Sequence, residues 1–404
     1  MSKLKYNIAA SFLKLKAYCE EENFKGWDPY DGLNSKVFNA LPFKHCDLAR
    51  LAWIQGFKRS PINFRKLLGV SKEYNAKGIG LFLTGYCNLY RLAESGNTTF
   101  GTKEELLTQI NELAVLLISL QTKGYSGACW GYNFDWQARR LFLFPKKTPT
   151  VVATTFCAAA LFEAYEITEN KEYLNIALSS AKFVMNDLSR TPHNNGFLFS
   201  YSPKEGNNTV YNASLLGAKL LSIAYRYTKN ETYKSAAQKA VLAACKGQKK
   251  DGSWVYGLLP VQSWKDSFHT GYNLDAIQNY QVNTGDSSFQ KNIDKGFEFY
   301  IHNFFMEDGT PKYYHNKTYP IDIHCPGQLF VTLSKLNKFK RNKLLADKVL
   351  HWTIHNMQSP RGYFYYQLKK GISSKISYMR WSNAFMFHAL SSYLLEKNNK
   401  SSNE

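Results

Sequence analysis

No Cys-x-x-Cys pair occurs in the sequence. Its seven cysteines, at 19, 46, 87, 129, 157, 245 and 325, are odd in number and far apart. That excludes a zinc ribbon or a disulfide scaffold. Cys87, Cys157 and Cys245 lie inside apolar helical runs and read as small core side chains. GxxxxGK[ST], GxGxxG and HExxH are also missing, so no phosphate loop, dinucleotide fingerprint or zincin helix is present. No motif calls for a cofactor or a metal ion. A run of ~18 apolar residues able to span a membrane is absent. The opening MSKLKYNIAASFLKLKAYCEE spaces its apolar residues instead of joining them into a signal-peptide core. The expectation is a cytoplasmic protein. Five or six like charges never run together, which argues against a nucleic-acid tail.

What the chain does have is charge and aromatic rings. Lys and Arg number 51 against 31 Asp and Glu, a net +20. Such a field favours acidic partners, and scattered charge points to an acidic glycan or lipid-linked saccharide, with peripheral contact to a membrane, before nucleic acid. Aromatics reach 15%, enough to line a cleft as well as fill a core.

Apolar residues recur at helical spacing from residue 77 to residue 397, and no convincing pair of adjacent strands interrupts them. The helices come in pairs. The first of each is rich in Ala, Gly and Ser, suited to close packing inside; the second is more charged. Short polar links join the members of a pair, such as TENKE (168–172) and TKNET (228–232). Longer aromatic links join one pair to the next: GWDPYDG, WGYNFDW, GFLFSYS, GSWVYG, TPKYYHN and RGYFYYQ. From Tyr132 through Phe197, Trp254 and Tyr313 to Tyr363 these links recur 65, 57, 59 and 50 residues apart. A unit repeated at that period builds a solenoid or a closed ring. Six units predict an all-α fold, an (α/α)6 barrel in which residues 1–396 form one domain and 397–404 a disordered tail. An extra segment, CDLARLAWIQGFKRSPINFRKLLGV, lies between the first two links.

DGSW-Y-G after a helix resembles the loop motif of the α/α-toroid group that includes terpene cyclases and protein prenyltransferases. CWGYNFDWQAR with TPTVVATTFCAAALFEAY, DSFHTGYNLDAIQNY and RWSNAFMFHAL resemble bacterial proteins of capsule and exopolysaccharide loci, the VpsJ-like polysaccharide-biosynthesis proteins. The resemblance covers roughly residues 25–395. It implies an α/α barrel and a place in surface-polysaccharide production; it brings no established catalytic residues.

In such a barrel the aromatic links and the inner-helix N-termini face one open end, where a funnel suited to anions is expected. Trp130, Tyr132, Trp136, Trp254, Tyr256, Tyr313 and Tyr314 are then the candidates to stack on sugar faces. Asp135 and Arg139 stand four apart: either they clasp the loop, or Arg139 grips a carboxylate. His269 near an inner-helix start is a candidate acid or base, with Asn273 on its face and Asp266 as partner or helix cap. Asp322 and His324 precede another inner helix. With Cys325 they offer metal-ligand types, but no cysteine occupies the equivalent loops, so a metal is not expected. Arg380 and Trp381 open the last inner helix, Arg380 either binding an acidic sugar or tying loops together.

The leading expectation is a carbohydrate-active protein of surface-polysaccharide biosynthesis. As a hydrolase it would use Asp135 and Asp322; as a lyase or epimerase, a base such as His269 or Tyr314 and a clamp from Arg139 or Arg380. The alternatives are a non-catalytic glycan-binding or scaffold subunit and an isoprenoid-handling toroid enzyme.

Overall fold

The computed structural model describes residues 7–138 and 143–398. In chain order the helices are α1 (Ile8–Glu21), α2 (Lys36–Ala40), α3 (Asp47–Arg59), α4 (Ala76–Glu94), α5 (Lys103–Ser119), α6 (Val151–Thr168), α7 (Lys171–Asn186), α8 (Tyr211–Thr228), α9 (Glu231–Lys246), α10 (Ser267–Thr284), α11 (Gln290–Phe304), α12 (His324–Lys335), α13 (Lys343–Met357) and α14 (Phe385–Asn398). α4, α6, α8, α10, α12 and α14 pack each on the next, and α14 returns to α4. They form a closed inner ring. α5, α7, α9, α11 and α13 lie outside it, and α1 packs behind α14. This is the (α/α)6 toroid predicted from the repeat. Its sixth pair is made from the two ends of the chain, because the periodicity of 8–21 went unread as a helix. α14 extends to Asn398, so Lys397 and Asn398 belong to that helix and not to a tail; residues 399–404 lie outside the described residues.

The polar links within pairs work as paired caps. Glu169 and Lys229 end α6 and α8 in the left-handed conformation (φ 57° and 52°). Asn170 and Asn230 follow at once, each side chain accepting the backbone N–H two residues on, at 2.9 Å. One helix is thus stopped and the next started within two residues, which folds the pair into a hairpin.

Helices are not the whole fold. Three small antiparallel sheets sit in the links between pairs: β1 (Trp136–Gln137) with β2 (Leu143–Phe144), β3 (Arg190–His193) with β4 (Gly196–Phe199), and β5 (Ile321–Asp322) with β6 (Tyr365–Leu368) and β7 (Ser374–Ser377). The all-α expectation missed them because strands of two to four residues have no periodicity to read.

Five of the six links also carry a glycine pressed on the following outer helix. A Cβ added at Gly127, Gly196, Gly252, Gly309 or Gly362 would come within 1.9–2.5 Å of the carbonyl oxygen of Ser179, Lys239, Lys295, Lys348 or Lys14 respectively. No other residue fits such an approach. The next buried ring then enters the core. Trp130 and Trp254, 0% and 2% exposed, donate their indole N–H to the carbonyls of Leu117 (2.8 Å) and Ala244 (2.9 Å) near the ends of the preceding outer helices. Gly296 makes room for the Trp254 ring; a Cβ there would sit 2.6 Å from it. Trp130 and Trp254 are therefore wedges between helices and not sugar platforms, a correction to the sequence reading. Trp254→Phe keeps most of the volume but strands the Ala244 carbonyl. It is expected to cost about 1–3 kcal/mol, read as a lower urea midpoint at unchanged slope.

α6 is a described helix long and apolar enough to cross a membrane by length and composition, with a mean hydropathy of 1.3. Glu163 and Glu166 interrupt it, so it is not an unbroken apolar run. Its place in the inner ring, with 61% of its residues buried, accounts for the composition: an inner helix meets neighbours on both flanks and an outer helix behind.

Candidate active site

The N-termini of the inner helices converge on one mouth. Lys77 of α4, Val152 of α6, Asn212 of α8, His269 of α10 and His324 of α12 all line a cleft of about 290 Å³ there, and Arg380 and Trp381 enter it from the turn before α14. That turn, 379–384, is a π-helix. The extra segment found in the sequence folds as α3 and the loop after it; Gln55 and Lys58 form one wall of the cleft.

Aromatic rings cover the sides. In three links a buried ring is followed two residues later by a cleft tyrosine: Trp130 and Tyr132, Phe199 and Tyr201, Trp254 and Tyr256. Tyr132 stacks on Phe134 (5.4 Å, 1° between planes) and Trp136 on Phe144 (5.1 Å, 13°). Tyr256 stacks on Trp264 at 4.5 Å. Tyr313 and Tyr314 complete the rim. Flat apolar faces separated by hydroxyls suit a sugar chain better than the smooth apolar tunnel an isoprenoid needs.

Two histidines are the cleft's acid–base groups. Asp266 is the N-cap of α10: its Oδ1 accepts the His269 backbone N–H at 3.0 Å. Its Oδ2 accepts from His269 Nδ1 at 2.8 Å and from Trp264 Nε1 at 2.9 Å. Both roles weighed for Asp266, cap and partner, are thus filled by one carboxylate. An ionised carboxylate only accepts, so the imidazole proton lies on Nδ1, and Nε2 is left as the acceptor for a substrate. The His269 side chain is 21% exposed, within reach of one. His324 lies deeper, its Nε2 3.2 Å from the Tyr272 hydroxyl. Burial, then the nearby Lys77 and Arg380 charges, hold His324 well below the usual histidine range, so it is neutral at physiological pH. Burial pushes the Tyr272 phenol well up, keeping it protonated.

The cations of the cleft differ in availability. Arg380 is 4% exposed and grips Asp28 with two bonds, Nε to Oδ2 at 2.5 Å and a second guanidinium nitrogen to Oδ1 at 2.8 Å. Its guanidinium stands 5.1 Å from the Tyr132 and Trp381 ring centres. Of the two roles weighed for it, tying loops is the one its bonds fill. Lys77 is buried against Phe156 (4.2 Å), Phe385 (5.1 Å) and Tyr272 (5.4 Å). Burial, then Arg380, pushes its amine well below the usual lysine range. Lys58 donates to the Tyr30 hydroxyl at 2.6 Å.

Several sequence candidates are elsewhere. Asp135 accepts the Lys146 N–H at 2.6 Å and clasps its own hairpin outside the cleft lining. Arg139, its suggested partner, lies outside the described residues. Asn273 is buried on α10 and does not reach the cleft lining. Asp322, 0% exposed, holds parts in place: it accepts from the His324 N–H (3.0 Å), Trp381 Nε1 (2.9 Å) and Gln367 Nε2 (3.0 Å). It fixes the two cleft rings beside it and is not itself in the lining. Among the described residues no three His, Cys, Asp or Glu side chains gather as a metal set. Tyr30, Lys58, Lys77 and Tyr272 were missed. Tyr272 stands three residues after His269, a helical spacing that was the available signal.

Burial is the main reason Asp322 is raised from 3.8 to about 6. A carboxyl raised on folding favours the native state while protonated, and that contribution is lost as pH climbs from about 4 to about 6. The full loss is on the order of 3 kcal/mol. Asp322→Asn is expected to flatten the pH dependence of the unfolding midpoint across that window while the wild-type midpoint keeps its fall.

A second cavity, about 480 Å³, runs inside the inner ring from its middle toward the far helix ends. Its charges are largely spent on one another: Lys219 with Asp275 (2.6 Å) and Arg91 with Glu163 (2.5 Å), Lys335 adding to Glu163 (3.7 Å).

No protein-family model and no curated protein sequence matches the chain. Solved structures do. The chain is similar to a cellobiose 2-epimerase from Bacillus thermoamylovorans, at a TM-score of 0.62 and 16% identity over 80% of this chain and 88% of that one. It is similar to an unsaturated glucuronyl hydrolase specific for heparin (TM-score 0.61, 12% identity, 98% and 97% covered). A polysaccharide lyase matches at 0.60 and 11% over 98% of both chains. At these identities the likeness is one of fold: the chain is an α/α toroid of the kind these glycan-processing enzymes use.

Proposed function

We propose that the chain is a carbohydrate-active enzyme that moves a proton at a sugar carbon, as an epimerase or isomerase, with His269 as the base. The observation that carries this is the make-up of the cleft. His269 backed by Asp266, and the neutral His324 beside Tyr272, are its acid–base groups, and among the described lining residues there is no Asp or Glu. Glycoside hydrolysis by two carboxylates has nothing to act with there. Asp135 and Asp322, the pair considered for it, lie outside the cleft lining.

In this reading His269 Nε2 takes the proton from the carbon next to the carbonyl of an opened sugar unit. Electron density moves to the carbonyl oxygen, where the protonated Tyr272 hydroxyl stabilises it. The enol unit turns about its carbon–carbon bond, and His269, now carrying the proton, returns it to the opposite face while the carbonyl re-forms, giving the epimer. The rings of Tyr132, Trp136 and Tyr256 hold the rest of the chain. An acidic glycan fits the net +20 of the chain and Lys58 on the cleft wall, and a place in surface-polysaccharide production is supported by the resemblance of residues 25–395 to VpsJ-like proteins.

β-Elimination from a uronate is the second reading, favoured by Lys58 on the wall of a cleft whose described lining carries no carboxylate. Both start with proton abstraction, so one experiment separates them. A panel of reducing neutral and uronic-acid oligosaccharides is incubated in D₂O. Epimerisation puts deuterium at the carbon next to the reducing carbonyl and gives a new epimer by NMR; elimination gives unsaturated-uronate absorbance instead. Release of new reducing ends with neither signal overturns both, and binding without turnover leaves the glycan-binding subunit as the function.

A further inference from the structure

Residues 36–69 leave the ring as an excursion whose inner side walls the cleft through Gln55 and Lys58. What the same excursion exposes is unusual. Val37, Phe43, Leu48, Ile62, Phe64 and Leu67 are all exposed, Leu67 to 78% and Leu48 to 64%. The same 34 residues carry seven Lys or Arg and a single acid, Asp47. Asp47 is taken by Arg50, and Arg65 turns inward to Asp31. Among the described residues Lys36, Arg59 and Lys66 stand exposed without an acidic partner.

A second element joins this face. The tip between β6 and β7 reads KKGISSK. Lys369 at its start donates to the Arg59 carbonyl at 3.0 Å, and Ile372 is 75% exposed. On the other side, Ser35 donates to the Leu68 carbonyl at 2.7 Å, which sets Lys36 and Val37 beside Leu67. Loops far apart in sequence thus present apolar tips among lysines and arginines beside the cleft.

Single exposed apolar residues are ordinary. Apolar tips clustered with unpaired cations are the composition of a surface that enters a lipid interface: the apolar side chains insert and the cations meet anionic head groups. A protein partner would be expected to use a packed groove; here the apolar groups come from two separate helices, the turns around them and a hairpin tip. We propose that this face docks the protein on an anionic membrane, with the cleft mouth beside the lipid surface. Docking there would bring lipid-linked saccharide directly to the cleft.

The test uses the full chain and sedimentation with vesicles of phosphatidylcholine alone or mixed with phosphatidylglycerol. Binding is expected to the mixed vesicles only. Leu67→Asp combined with Ile372→Asp should weaken it by roughly tenfold or more. Leu344→Asp, the same change at a 72%-exposed position on α13, should leave it as in the wild type. Turnover or binding of a soluble glycan should be equal in all variants, which separates docking from the chemistry proposed above. No binding to phosphatidylglycerol vesicles overturns the proposal. So does an equal loss from Leu344→Asp, since the net +20 alone would then be the cause. Binding that survives Leu67→Asp/Ile372→Asp and fails only in salt also overturns it. Failure with vesicles together with tight binding of soluble acidic glycans by the same face would assign it to the glycan instead.

Discussion

His269→Ala is expected to lower turnover by roughly 10²- to 10⁴-fold while leaving the fold and sugar binding nearly intact. The size follows from what is removed. His269 Nε2 is the acceptor presented to the cleft with its partner proton already fixed by Asp266. The side chain is partly exposed, so its loss opens no sealed cavity. Aromatic stacking is left alone, and the Michaelis constant should therefore move far less than kcat. Asp266→Asn separates the carboxylate's two tasks. Asn still caps α10, at the cost of the Trp264 Nε1 bond, about 1–3 kcal/mol, but it no longer fixes the Nδ1–H tautomer or stabilises the imidazolium. Its turnover should fall substantially with a displaced pH profile. Solvent-deuterium incorporation at the reacting carbon is the readout. If His269→Ala exchanges deuterium at the wild-type rate, His269 is not the base, and His324 becomes the residue to replace.

The placement of His269 is only partly legible in the sequence. The ring was readable because helical periodicity and a repeated aromatic link are long signals, and the inward choice of the Ala- and Gly-rich helices follows from close packing. His269 was readable because a histidine at an inner-helix start faces the mouth. What could not be read was which ring of a link turns in. Trp254 and Tyr256 are both large and amphipathic. The choice is made by the Ala244 carbonyl and the gap over Gly296, groups 10 residues before and 42 after Trp254. Carboxylates posed the same difficulty. Asp135 and Asp322 carry the chemistry of a catalytic pair, but a backbone N–H claims the first, and an N–H, an indole and an amide claim the second. Such partners come from turns and strands too short to leave a pattern. Lys77 was hidden by its neighbours, since a lysine in a Gly-rich helix start reads as solvated. Only closure of the ring surrounds it with Phe156, Tyr272 and Phe385.

Closure is also where the largest loss of stability is expected. Asp28 lies in the first link and Arg380 in the last, 352 residues apart, both nearly sealed from water. Around them Met379 donates its backbone N–H to the Trp27 carbonyl at 3.1 Å, and Gly26 is pressed so close that a Cβ would sit 2.4 Å from that of Met379. Asp28→Asn leaves a buried guanidinium facing a neutral amide that cannot balance it, at a cost of about 3–5 kcal/mol. Because the pair joins the chain's two ends, the loss should appear as earlier opening of α1 and α14, seen by hydrogen exchange, before the middle of the ring gives way. Replacing both partners, as in Asp28→Leu with Arg380→Met, removes the stranded charge and should recover most of the loss. The variants also separate the two roles of Arg380. If its function is to tie the links, the double variant regains stability and keeps glycan binding, because Tyr132 and Trp381 still line the cleft. If Arg380 also grips a substrate carboxylate, the double variant is stable but binds neutral glycans better than acidic ones, the reverse of the preference expected for the wild type.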